Sequence, residues 1–215
     1  MEGVAELTLA LILGVLRRTA EADRMLRQGQ WKPLMGSLLQ GKTVGLVGLG
    51  RIGRRLVELL EPFKVHFLAR ERSPDVAFAK RHDIRLVSLP VLLRRSDIVS
   101  LHVTLDDETR GMVGAAQLAS MKRRAILVNT ARGELVDNEA LATALRNGQI
   151  AGAGIDVYQK EPYQGPLTDC PNAYLTCHMG SYAIETRIQM EHQAVENLLR
   201  ALAKHRLPKA RPAYA

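Results

Sequence analysis

The chain has 215 residues, 47% of them hydrophobic and 24% charged, enough apolar material to bury a sizeable core in one domain with accessory helices. Its net charge of +8 invites a nucleic-acid reading, but the lysines and arginines are scattered and only 4% of residues are aromatic, which argues against a nucleic-acid partner. No zinc-ligand spacing occurs, so no metal is expected, and Cys170 and Cys177 form neither a CxxC nor a disulfide framework, which fits a reducing, cytoplasmic setting.

The opening MEGVAELTLALILGVLRR places Glu2 and Glu6 before its apolar run and Arg17 and Arg18 after it, the reverse of a secretory leader, and the run is too short to span a bilayer. It predicts a buried helix and no membrane partner. Val4, Leu7, Leu11, Val15 and Leu16 form one stripe while Leu9, Ile12 and Leu13 are apolar on other faces, so this helix needs cover on more than one side. A polar helix over about 19–29 and a turn from Trp31 to Gly36 come next. KTVGLVGLG then reads as a buried strand ending in glycines, and RIGRRLVELLEPF as a helix, with Ile52, Leu56, Leu59 and Leu60 at helical spacing and a stop at Pro62. VHFLA is the next strand. Further apolar strands are predicted at 85–87, 97–103, 125–130, 151–157 and 173–177, separated by segments such as NEALATALRNG that read as helices. This alternation predicts an α/β fold, a doubly wound parallel sheet with helices on both faces. A last helix over about 184–205 carries Ile188, Val195, Leu198 and Leu202 on one face, and the tail KHRLPKARPAYA reads as a frayed basic end.

Gly48-Leu49-Gly50-Arg51-Ile52-Gly53 matches GxGxxG directly after a strand and at the start of a helix, the context in which that pattern binds a dinucleotide. Gly48 permits the tight turn, Gly50 lets the backbone approach a pyrophosphate, and Gly53 allows close helix-to-strand packing. In NAD-using domains an acid about 20 residues later binds the ribose hydroxyls. Here the second strand delivers Ala69, Arg70, Glu71 and Arg72 to that corner. A guanidinium there pairs bidentately with a 2′-phosphate, so NADP(H) is the expected cofactor, through Arg70 with Arg72 as helper. NAD(H) is the alternative if Glu71 turns to the ribose.

VAELTLALIL, GKTVGLVGLGRIGRRL, SDIVSLHVTLDDETRGMVG, ILVNTARGELVDNEAL, GAGIDVYQKEP and LTCHMGSYAIETR together resemble the D-isomer-specific 2-hydroxyacid dehydrogenases, a group that includes phosphoglycerate and glyoxylate/hydroxypyruvate reductases. The resemblance covers nearly the whole chain. It implies hydride transfer between a nicotinamide and C2 of a small 2-hydroxy or 2-oxo acid, usually in a homodimer. Carried over by position, it makes Arg132 the substrate-orienting arginine, Glu161 the catalytic acidic residue and His178 the acid/base. Arg132 can hold the substrate carboxylate or polarise the C2 carbonyl, His178 can exchange a proton with the substrate oxygen, and Glu161 can orient the imidazole. It further implies that Thr130, Ala131, Arg132, Asp156, His178, Gly180 and Ser181 line the nicotinamide end, that Arg51 and Ile52 contact the pyrophosphate, and that His102, Val103 and Thr104 wall the adenosine side.

The chain departs from the family pattern in the absent strand-end acid, in short connections at LLEPFKV and between Glu161 and His178, and in starting at the helix that follows the family's first lobe. On this reading residues 1–36 are a linking helical segment, 37–183 the cofactor domain and 184–215 a C-terminal helix and tail. Without the first lobe, dinucleotide binding is expected to survive with impaired turnover, and both terminal helices are expected to present apolar faces that need cover. The alternative is a non-catalytic dinucleotide-binding interaction module, like the corepressors related to this family.

Overall fold

In the computed structural model, which describes residues 1–204, seven parallel strands lie in the order β3-β2-β1-β4-β5-β6-β7. They are β1 (Thr43–Val47), β2 (His66–Arg70), β3 (Ile84–Leu86), β4 (Ile98–Leu101), β5 (Ile126–Asn129), β6 (Gly152–Ile155) and β7 (Ala173–Leu175). All are short and, apart from the edges, buried on both faces, which explains why they read as apolar runs without alternation. The predicted strands reappear one or more residues shorter at one or both ends, except at VHFLA and 85–87, which reappear shifted by one residue. Thr130 and Asp156, just past the ends of β5 and β6, are loop residues that line the site instead.

One helix layer consists of α1 (Glu2–Arg17), α3 (Arg51–Leu60) and α4 (Val76–Arg81), and the other of α5 (Leu89–Arg95), α6 (Ala115–Ser120) and α7 (Asn138–Arg146). Successive strand residues feed opposite layers: Ile126 and Val128 pack beneath α1 and α3, while Leu127 packs beneath α5 to α7. α2 (Thr19–Arg27) is the predicted polar helix and buries no residue.

The first helix does not leave an apolar face open. α1 lies on α3 and over β5, β6 and β7, with Ala5, Thr8, Leu11, Ile12 and Leu16 buried, so the expectation that it lacks cover is corrected. Small residues make this possible, since Gly152 and Gly154 of β6 let Val15 and Leu11 come down onto the sheet. α8 (Ile184–Lys204) behaves as expected: Ile184, Ile188, Val195, Leu198, Leu199 and Leu202 are exposed. The predicted tail beyond it lies outside the described residues. Among the described residues, no helix is long and apolar enough to cross a membrane.

Candidate active site and cofactor cleft

The strand order reverses between β1 and β4, and at the carboxyl ends of these strands a cleft of about 820 Å³ opens. Crevices at such a reversal are where open α/β sheets bind ligands. The cleft gathers residues from distant parts of the chain: Arg51 and Ile52 from α3, His102, Val103 and Thr104 after β4, Thr130, Ala131 and Arg132 after β5, Asp156 after β6, and His178, Gly180 and Ser181 after β7. Val4 of α1 and Leu105 complete the lining. Sequence reasoning assigned neither to the site.

The glycine turn lies beside this cleft. Gly48 has φ of +102°, and a Cβ there would sit 2.6 Å from the His102 carbonyl oxygen, so both conformation and space demand glycine. A Cβ on Gly53 would lie 2.4 Å from the Gly48 oxygen, which sets how closely α3 approaches β1. Gly50 differs, because nothing lies within 4 Å of its would-be Cβ. Internal packing therefore does not require this glycine, whereas a ligand pressed against the backbone at the start of α3 does.

At the end of β2, Glu71 is engaged by the turn. Its Oε2 accepts the Leu49 N–H at 2.6 Å, and its Oε1 accepts the N–H groups of Arg72 at 2.7 Å and Ser73 at 3.4 Å. Partial burial works to raise its pKa, but these N–H groups and nearby Arg70 outweigh that and hold the carboxyl below its ordinary value. Arg72 is tied to Asp106 at 2.9 Å and to Glu108 at 2.8 Å. Its hydrogen bond to Asp106 brings that carboxyl's pKa down to about 2. Arg70, half-buried, makes no side-chain hydrogen bond or ion pair among the described residues.

On the wall after β4, His102 Nε2 lies 2.8 Å from Ser100 Oγ, and burial pushes the His102 pKa down to about 4. The ring is therefore neutral at physiological pH. After β5, the Asn129 side chain organises the turn by donating to the Arg132 carbonyl at 2.8 Å and accepting the Ala131 N–H at 3.1 Å. Thr130 Oγ1 meets Thr8 Oγ1 of α1 at 2.8 Å in the interior, so α1 helps to hold the cleft wall.

His178 and Glu161 meet directly. His178 Nδ1 lies 2.8 Å from Glu161 Oε2, and the other carboxylate oxygen accepts the Tyr158 N–H at 3.1 Å. The hydrogen bond from His178 is the main reason that the Glu161 carboxyl sits below its usual pKa range, and the Tyr158 N–H adds to it. An ionised carboxylate only accepts, so Nδ1 carries a hydrogen and Nε2 is the atom left for proton exchange. His178 has φ of +55°, a left-handed conformation costly for a side-chain-bearing residue. Asp156, buried, holds it there: its carbonyl accepts the His178 N–H at 2.7 Å, and its carboxylate accepts from Thr176 Oγ1 at 2.6 Å, Met179 N at 2.9 Å and Gly180 N at 3.0 Å. Asp156, expected at the nicotinamide end, thus also shapes the loop that presents the histidine. Among the described residues, no His, Cys, Asp or Glu cluster is arranged to hold a metal.

The reversal of strand order, the glycine turn against α3 and the adjoining cleft define an α/β dinucleotide-binding protein. The profile of the D-isomer specific 2-hydroxyacid dehydrogenase NAD-binding domain matches residues 9–180, and the chain belongs to that family. It is 44% identical to a glyoxylate reductase of Aeropyrum pernix over 96% of its own length, and it spans 65% of that relative. The crystal structure of a Thermus thermophilus protein superposes with a TM-score of 0.89 at 42% identity, covering 99% of this chain and 68% of that one. An acyclic imino acid reductase in complex with NADPH and D-Arg superposes with a TM-score of 0.84 at 31% identity, over 94% of this chain and 65% of that one.

Proposed function

We propose that this chain takes part in hydride transfer between a nicotinamide dinucleotide and C2 of a small 2-hydroxy or 2-oxo acid, with glyoxylate and hydroxypyruvate as the first substrates to test. The observation that carries the reading is the hydrogen bond of His178 Nδ1 with Glu161, held beside the same cleft as Arg132 and the start of α3. The cofactor, when bound, supplies or accepts the hydride. Arg132 places its guanidinium on the substrate carboxylate as a fork of donors. His178 gives a proton from Nε2 to the C2 oxygen on reduction and takes it back on oxidation, while Glu161 keeps the ring oriented through Nδ1. Gly48, Gly50, Gly53, Arg51 and Ile52 hold the pyrophosphate, and Thr130, Ala131, Asp156, Gly180 and Ser181 shape the nicotinamide end.

The reading includes a preference for NADP(H). Arg70 makes no side-chain hydrogen bond or ion pair among the described residues, which leaves its guanidinium for a 2′-phosphate, whereas Glu71, accepting backbone N–H groups at the glycine turn, keeps lone pairs for ribose hydroxyls and is the rival that would admit NAD(H). Arg72, held by Asp106 and Glu108, frames the 2′-phosphate corner. Residues 37–183 form the cofactor domain in this reading, with α1 packed on it and 184–215 as the C-terminal segment.

Fluorescence titration with NADPH and NADH, run beside absorbance assays with glyoxylate and hydroxypyruvate, tests each part. NADPH is expected to bind at least ten times more tightly than NADH, and Arg70→Ala to remove that margin. His178→Ala is expected to lower turnover by about 10²–10⁴-fold with NADPH affinity kept. Cofactor binding without turnover in the unaltered chain would favour the interaction-module reading, and binding of neither cofactor sinks both.

A further inference from the structure

A second cavity, of about 600 Å³, lies on the opposite side of the sheet from the cofactor cleft. Thr43 and His66, the first residues of β1 and β2, place it at the amino ends of the strands. Arg81 at the end of α4, Arg85 of β3, Arg94 and Arg95 at the end of α5, and Lys122 ahead of β5 converge on it, against two lining carboxylates, Glu61 and Asp83.

Glu61 is paired within the lining and Lys122 is paired beyond it. Glu61 is bound to His82 Nδ1 at 2.6 Å, and Lys122 to Asp97 at 2.8 Å. Arg81, Arg85, Arg94 and Arg95 make no side-chain hydrogen bond or ion pair among the described residues. A helix dipole favours a cation in a last turn, which accounts separately for Arg81, Arg94 and Arg95. It does not account for Arg85 on a strand, nor for four guanidiniums without an ion pair around one cavity that Asp83 and Glu61 only partly balance, an excess of positive charge that an anion relieves.

We propose that this cavity binds a small polyanion carrying at least two phosphate groups, at a site independent of the dinucleotide cleft. Guanidinium forks match phosphate oxygens two at a time, and a cavity of about 600 Å³ gives four of them room to engage more than one phosphate. The volume lies within the range of about 300–1,000 Å³ typical of small-molecule pockets, and Val65, Phe67 and Leu68 line it with apolar surface against which the uncharged part of such a ligand rests. The cations surround a cavity and do not form the continuous stripe that a nucleic-acid backbone follows.

Calorimetric titration of inorganic triphosphate into the full chain saturated with NADPH tests this. One triphosphate is expected to bind with the cofactor in place, and the double substitution Arg85→Ala/Arg94→Ala to weaken it at least ten-fold with NADPH affinity changed less than two-fold. Arg27→Ala/Lys32→Ala, which removes the same charge from α2 and the loop after it, is expected to leave triphosphate affinity within two-fold. Unaltered thermal midpoints of the free variants would show that the loss is local. The proposal is overturned if NADPH displaces the triphosphate, if both double variants weaken it equally, if sulfate at matched ionic strength binds as well, or if an oligonucleotide binds the same arginines more tightly.

Discussion

His178 shows how far a single position can be argued. Its ring is aimed by Glu161 and its backbone is held in a left-handed turn by Asp156, so side chain and main chain are positioned by different acids. His102, on the facing wall, makes a prediction in pH. Its folded pKa of about 4 lies below the unfolded value of 6.5. Above pH 6.5 neither state binds the proton and stability is full; between 6.5 and about 4 only the unfolded state does, so stability falls as pH falls, by up to about 3 kcal/mol from this group. Thermal midpoints measured from pH 7.5 to 4 are expected to drop across that window, and His102→Asn to flatten the drop. The types and order of Arg132, Glu161 and His178 were legible in the sequence because each sits in a short local pattern. The hydroxyl pair of Thr8 and Thr130 was not, because 122 positions separate its members and nothing local marks either one. Asn129 was read only as the end of a strand, although its amide shapes the turn that presents Arg132.

Among the elements, α1 departs most from expectation. Its all-round apolarity was visible, but the partner surfaces, α3 on one side and β5 to β7 on the other, arise only when the sheet assembles. The glycines of β6, which give a strand no side chain to pack, prove to be the space into which α1 packs. Ile12, fully buried between these layers, gives the test: Ile12→Ala is expected to cost about 2–5 kcal/mol, read from urea unfolding with an unchanged slope. A loss under about 1 kcal/mol would mean that the helix is dispensable padding. α4, α5 and α6 each run two turns or fewer, too short for a 3.6-residue period to establish itself, so the sequence disclosed that helices separate the strands without disclosing their limits.

For the molecule as a whole, the uncovered apolar surface is concentrated away from the sheet. Trp31 and Met35 are 86% and 89% exposed in the loop before β1, and the apolar residues of α8 stand clear of the body. A homodimer covering these residues is the expected state. Light scattering behind size exclusion should give twice the chain mass at micromolar concentration, and Trp31→Ser with Leu198→Asp should shift it to the monomer; a monomer in the unaltered chain rejects the idea. The strand order has a further consequence, in time. β1 pairs with β4, Val44 opposite Ile98 across 54 positions bridged by β2, β3 and their helices, and α1 settles on strands from much later in the chain. Closing such loops precedes any reward from the contacts they form, so folding belongs to the slow, high-contact-order regime. α1, which precedes in the chain every strand it packs on, is then among the last of these elements to dock, and Ile12→Ala should speed unfolding far more than it slows refolding.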